Sequence, residues 1–212
     1  MCDDLMYSSL LFINSSEVKR EFDLKTHRTK QEVLKAIDNA THETGGSNTH
    51  LVIDELIING FSEANGARSG HPRVGVLLAD SSSNLPNETI SSASKTRDAD
   101  VTMMVVGVGD SLSLSELKAI ASDRCRHLNV IQNFTEMDSL VHVIRRRICE
   151  GMFILRCFTY NKSHSSVFVF LTLTKHKNLR KTYQRFKKIA IYIKSRYIFR
   201  MASWLVGNTH AL

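Results

Sequence analysis

Gly109-Asp110-Ser111-Leu112 follows directly on the apolar run Val-Thr-Met-Met-Val-Val-Gly-Val, residues 101–108. A serine presented just beyond a buried strand can act as a nucleophile. Its hydroxyl would attack an ester carbonyl once an imidazole takes its proton, and an aspartate would hold that imidazole in the accepting tautomer. None of the nine histidines has an aspartate three residues before it, the spacing this arrangement uses. Asp123 to His127 and Asp138 to His142 are the nearest approaches, and the second pair has the spacing of a contact along one helix face.

The four letters are similar to the signature of the GDSL-type serine esterases, so an esterase using Ser111 is the enzymatic alternative. The other reading needs no catalysis: Gly107 and Gly109 let a strand end and turn, and Ser111 or Ser113 caps the helix that follows. Phosphate-binding readings lack essential residues. Gly107-x-Gly109 has Leu112 where a dinucleotide turn needs its third glycine, and Gly45-Gly46-Ser47-Asn48-Thr49 lacks the Gly-Lys-Ser/Thr of a phosphate loop. Two further residues stand out. Asp80 closes the apolar run Val-Gly-Val-Leu-Leu-Ala at its carboxyl end, where open α/β sheets bind ligands, and Ser47 precedes an apolar-faced helix, the place of an N-cap.

The elements that would position these residues alternate in type. The run Tyr7–Ser16, closed by polar residues, and Val18–Leu24 read as two strands joined by a turn near 14–16. Thr29-Lys30-Gln31-Glu32 is a capping box for a helix carrying Val33, Leu34, Ile37 and Ala40 on one side. A second helix starts near Asn48 with Leu51, Val52, Leu56 and Ile57 as its apolar face. The runs 74–80 and 101–108 are long enough for strands and apolar on both faces, as in a parallel sheet. A polar surface helix is expected between them. Ser113 to Glu116 caps another helix, 127–131 is a short strand, and Met137, Leu140, Val141, Ile144 and Ile148 recur at helical spacing. Strands alternating with amphipathic helices predict a Rossmann-like, doubly wound, mostly parallel α/β sheet.

Charge divides the 212 residues unevenly. Residues 1–150 hold 16 Lys and Arg against all 21 acids, a net of 16 − 21 = −5, whereas 151–212 hold 12 Lys and Arg and no acid. The sequence therefore places a boundary near Glu150, with a domain in 1–150 and a basic tail in 151–212. Leu179, Tyr183, Phe186, Ala190, Ile193 and Tyr197 recur at helical spacing in that tail, a pattern for a membrane surface or nucleic acid. Its composition is also that of translated AT-rich non-coding sequence, the preferred reading, and no nucleic-acid partner is expected. Four cysteines, Cys2, Cys125, Cys149 and Cys157, have no zinc-ligand spacing. The chain opens with acids and not a signal peptide, and no run of about 20 apolar residues could span a bilayer.

In this order the segments Leu-Leu-Phe-Ile-Asn-Ser-Ser (10–16), Gly-Gly-Ser-Asn-Thr (45–49), Gly-Ala-Arg…Pro-Arg-Val (66–74) and Val-Gly-Val-Gly (106–109) resemble the von Willebrand factor type A domain of matrilin and collagen VI-like extracellular matrix proteins, over about residues 8–149. The resemblance implies a non-enzymatic adhesion module, extracellular, with collagen or other matrix proteins as partners. It implies an adhesion site in which Mg²⁺ is held by Asp-x-Ser-x-Ser on the first strand, a threonine of the Gly-Gly-Thr-Asn-Thr loop and an aspartate after the fourth strand. Ser47 takes the threonine's place and Asp80 the aspartate's. The first strand, central in the family's sheet, should precede Tyr7, where only Met-Cys-Asp-Asp-Leu-Met stands. The expectation is thus a domain lacking its first central strand, a fragment whose two remaining metal ligands, Ser47 and Asp80, hold no ion. The resemblance also puts Cys149 where many such domains close a disulfide, with Cys2 as an uncertain partner.

Overall fold

The structure, a computed structural model, describes residues 6–12, 18–39, 46–140, 142–144, 146–147 and 166–172. Strands β1 (Met6–Phe12) and β2 (Val18–Phe22) pair antiparallel, with a register shift between Ser9 and Leu10. Helix α1 (Lys30–Asn39) follows, and its capping box closes from both sides. The Thr29 hydroxyl accepts the Glu32 N–H at 3.3 Å, and the Glu32 carboxylate accepts the Thr29 N–H at 3.2 Å. Val33 and Ile37 pack on Phe22 in a small cluster of their own. Helix α2 (Thr49–Glu55) runs into a wide helical turn at Leu56–Gly60. Then come β3 (Arg73–Ala79), α3 (Pro86–Asp98), β4 (Val101–Val108), α4 (Leu114–Ile120) and β5 (Leu128–Ile131), with further helical residues between 137 and 147.

The sheet has six strands in the order β2-β1-β6-β3-β4-β5, where β6 is Ser166–Thr172. Every pairing except β1 with β2 is parallel. Strands β3 and β4 are buried on both faces, as unbroken apolar runs require. Leu77, Ala79, Met103 and Val105 share one core with Val52, Ile53 and Leu56 of the α2 segment, Ala93 of α3, and Leu117 and Ile120 of α4. Val76, Leu78, Met104 and Val106 are buried with the opposite strand parity. The doubly wound α/β class is therefore as expected. No strand precedes β1 among the described residues. The centre of the sheet is held by a segment from beyond Glu150, so the sheet crosses the boundary that the charge break suggests.

Two helices differ from their sequence reading. The second buries Ile53 fully and leaves Leu51 and Ile57 half-buried, a rotation of the expected apolar face. Helix α3 lies at the surface as expected, but one of its faces, Thr89, Ser92, Ala93 and Thr96, is buried. Small side chains let it lie close to its neighbours. The Thr89 hydroxyl donates to Ser83 Oγ at 2.8 Å and the Thr96 hydroxyl to the Ala93 carbonyl at 2.7 Å. Lys95 pairs with Asp54 of α2 at 3.0 Å, and Arg97 donates to the Ala119 carbonyl of α4 at 2.8 Å.

Val105 is fully buried and lies between Leu77 and Leu128 in the sheet. Val105→Asp should cost several kcal/mol, the penalty of an unpaired charge in an apolar core. Thermal unfolding of the soluble fraction checks this, with a large fall in Tm or loss of soluble protein as the expected outcome.

Candidate functional site at the carboxyl edge of the sheet

Three loops meet where the parallel strands end: 46–48 before α2, 80–85 after β3, and 109–113 after β4. Hydrogen bonds hold them in a fixed arrangement. Asn84 N–H donates to the Ser47 carbonyl at 2.8 Å and the Ser83 hydroxyl to the same carbonyl at 3.2 Å. The Asn84 side chain donates to Asn48 Oδ1 at 3.4 Å. On the other side, Ser82 N–H and the Ser82 hydroxyl both donate to the Ser111 carbonyl, at 2.9 and 3.1 Å. The loop after β3 is thereby tied to both neighbours. Asp80, only 9% exposed, opens it.

Ser47 does not cap α2. Asn48 occupies the cap position, without a side-chain hydrogen bond to the helix N-terminus. The Ser47 side chain is 3% exposed and its Oγ has no hydrogen-bond partner. A buried hydroxyl without a partner is costly, about 1–3 kcal/mol, and a water or an ion is among the groups that would satisfy it. The structure places Ser47 and Asp80 in adjoining loops at one edge of the sheet. Among the described residues no group of three or more His, Cys, Asp or Glu side chains could hold a metal ion.

Ser111 is exposed. Its carbonyl is taken by Ser82. The Asp123 carboxylate accepts the backbone N–H groups of Cys125 and Arg126, at 2.8 and 3.0 Å, and holds a turn. Those two bonds also keep its pKa below the usual carboxylate value. The glycines of the motif have structural duties. Gly109 has φ +92°, and a Cβ on Gly107 would come within 2.7 Å of Leu112 Cδ1 and 2.8 Å of Leu117 Cδ1. Gly107 is where α4 and its leading turn press onto β4. Ser113 caps α4, its hydroxyl accepting the Glu116 N–H at 3.4 Å.

Glu116 is the residue that the motifs do not reveal. The capping box at 113–116 predicts a carboxylate returning to its own helix N-terminus, but Glu116 Oε2 accepts the N–H of Ser83 at 3.1 Å instead. Ser83 passes the contact on: its hydroxyl accepts from Thr89 Oγ1 at 2.8 Å. Glu116 is 3% exposed, and this burial raises its pKa, with the Ser83 N–H acting in the opposite direction. Two loops and two helices thus share one buried polar chain.

This geometry belongs to a non-enzymatic, protein-binding α/β module whose ligand edge is built from strand-terminal loops. The model of the "von Willebrand factor type A domain" family matches residues 7–143, and the chain belongs to that family. It is 34% identical to matrilin-2 of Mus musculus over 139 residues, covering 63% of this chain and 14% of that protein. Matrilin-4 of Homo sapiens is 33% identical over 140 residues, covering 64% of this chain and 22% of the relative. A transmembrane cell adhesion receptor, mua-3 of Caenorhabditis elegans, is 30% identical over 139 residues, 64% of this chain and 4% of the receptor. The chain therefore spans less than a quarter of the length of these three relatives. Among solved structures, proximal thread matrix protein 1 from the mussel byssus, with a zinc-occupied MIDAS motif, shares the fold at TM-score 0.64 and 24% identity, over 68% of this chain and 36% of its own.

The buried carboxyl of Glu116 gives a pH signature. Its folded pKa lies above the ordinary value of 4.5, so the folded state binds more protons than the unfolded state once the pH passes that value. Glu116→Gln keeps an acceptor for Ser83 N–H and removes the titration. The difference in Tm, variant minus wild type, should move in the variant's favour as the pH rises from about 4 to 7. A difference independent of pH in calorimetric scans would contradict the burial of this carboxyl.

Proposed function

We propose that this chain is an adhesion module of an extracellular matrix or cell-surface protein, binding collagen or another matrix protein through the loops at the carboxyl edge of its sheet. One observation carries the reading. The 46–48, 80–85 and 109–113 loops form a hydrogen-bonded platform, and two apolar side chains, Leu85 and Leu114, stand 49% and 51% exposed beside it. Exposed apolar groups set next to a fixed polar platform suit a protein surface, where they supply contact area and the platform supplies register. The matrilin relatives and the cell adhesion receptor support the extracellular setting.

We further propose that Ser47 and Asp80 are the remainder of a metal-ion-dependent adhesion site and do not hold Mg²⁺ tightly. The orphaned Ser47 hydroxyl fits a former ligand position. Mg²⁺ demands close to six oxygens in octahedral geometry and gives up water reluctantly, so two protein ligands leave it bound no better than in the millimolar range, on the order expected from ligand count. The zinc-occupied motif of the mussel byssus protein belongs to a chain that shares only the fold. Here Leu85, Leu114 and the loop backbone carry the contact instead.

Surface plasmon resonance on immobilised fibrillar collagen and on a panel of matrix proteins tests this. Leu85→Ala with Leu114→Ala, both at exposed positions, should weaken binding at least tenfold without changing Tm, and chelation with EDTA should leave the wild-type affinity unchanged. Binding abolished by EDTA and by Asp80→Ala would show a working metal site and contradict the reading.

A further inference from the structure

We propose that Ser166–Thr172 is the central strand of this domain, docked from the C-terminal side of the chain, and that it sets a threonine at the edge position beside Asp80. The second clause rests on the incomplete-site reading above, and the first does not. Without β6, the sheet splits into the β1–β2 hairpin and the β3–β4–β5 unit. The gap between them has the width of one strand and parallel ladders on both sides. Ser166, Val167, Phe168, Val169, Phe170, Leu171 and Thr172 stand opposite Arg73 through Ala79 in unbroken register. The first six also stand opposite Met6 through Leu11. With β6 in place, β3 is buried from Val74 to Ala79, and without it that edge would present a row of unpaired backbone groups.

The composition of the segment agrees. Ser-Val-Phe-Val-Phe-Leu-Thr is β-branched and aromatic, without charge, glycine or proline, inside a tail that carries 12 Lys and Arg. A strand placed parallel to both neighbours must enter by a crossover of a dozen or more residues. In sequence, 18 residues, 148 to 165, separate Arg147 from Ser166. The last described helical residue, Arg147, donates to the Arg126 carbonyl and, at 3.1 Å, to Asn129 Oδ1, and so stands at the amino edge of β5. Ser166 begins β6 at that same edge of the sheet. From β5 to β6 is three strand spacings, about 14 Å, whereas 18 residues extend to roughly 60 Å. The chain therefore reaches its own slot, and no second copy is needed to fill it.

The edge follows from the register. Thr172 stands opposite Ala79, the residue before Asp80. The family carries Asp-x-Ser-x-Ser on its central strand, and here the sequence from this position reads Thr172-Leu173-Thr174-Lys175-His176. The carboxylate that would join Asp80 and Ser47 around an ion is replaced by a hydroxyl residue.

Full-length protein with Val169→Pro, which removes a ladder donor in mid-strand, is compared with Lys187→Pro, placed in the tail beyond the strand. Val169→Pro should lower Tm by 10 °C or more or abolish soluble expression, and Lys187→Pro should change Tm by less than 2 °C. Equal effects of the two prolines would overturn the strand assignment. If Val169→Pro yields no soluble protein, hydrogen exchange on the wild type decides. Amides of 166–172 should be protected as strongly as those of Arg73–Ala79 in a monomer, and fast exchange there, or protection only in a dimer, would overturn docking within one chain. Thr172→Asp tests the edge by calorimetric titration with Mn²⁺. Affinity should rise at least tenfold over wild type, and unchanged affinity would overturn the placement of Thr172 while leaving the exchange result to stand for the strand.

Discussion

The parallel pairing of β3 on both of its edges is the interaction on which the rest depends. Strand β3 carries Leu77 and Ala79 into the core that α2, α3 and α4 share, and it delivers Asp80 to the loop that joins Ser47 to Ser111. One edge is closed by β4 and the other by β6. A strand buried on both faces cannot leave a ladder open, because an unpaired N–H or C=O in a dry interior costs more than a hydrogen bond returns elsewhere. The position of Ser166–Thr172 is therefore a consequence of the physics of β3 as much as of its own apolar sequence.

From that fixed sheet the carboxyl edge acquires its rigidity. Its loops are short and answer one another through backbone bonds, and the buried chain of Glu116, Ser83 and Thr89 anchors them to the helices behind. Such a platform suits recognition of a protein surface better than catalysis. Ser111 sits in the turn for the sake of Gly107 and Gly109, which let α4 approach β4 and the chain change direction. The GDSL lettering arises from the needs of packing and turning at Gly107 and Gly109.

Much of this was legible in the residues. Unbroken apolar runs announced β3 and β4, Thr29 and Glu32 announced the start of α1, and the glycines of 107–109 announced a turn. What escaped is instructive. The buried face of α3 rests on Thr89, Ser92 and Thr96, small hydroxyl residues, so hydropathy understates it. Ser47 looked like a cap because its position in sequence cannot show that the chain enters α2 at Asn48. The diversion of Glu116 to Ser83 depends on a contact between residues 33 positions apart. Charge composition masked Ser166–Thr172, since a short strand leaves little trace in the average of a basic segment.

The central claim is that this family member completes its sheet with a strand from the far end of its own chain. Backbone nuclear Overhauser effects in uniformly labelled full-length protein address it most directly. The account predicts cross-strand contacts linking 166–172 both to Arg73–Ala79 and to Met6–Leu11, in parallel register with Val76 opposite Val169. Contacts from Arg73–Ala79 to β4 alone, with no partner on the other edge, would contradict it.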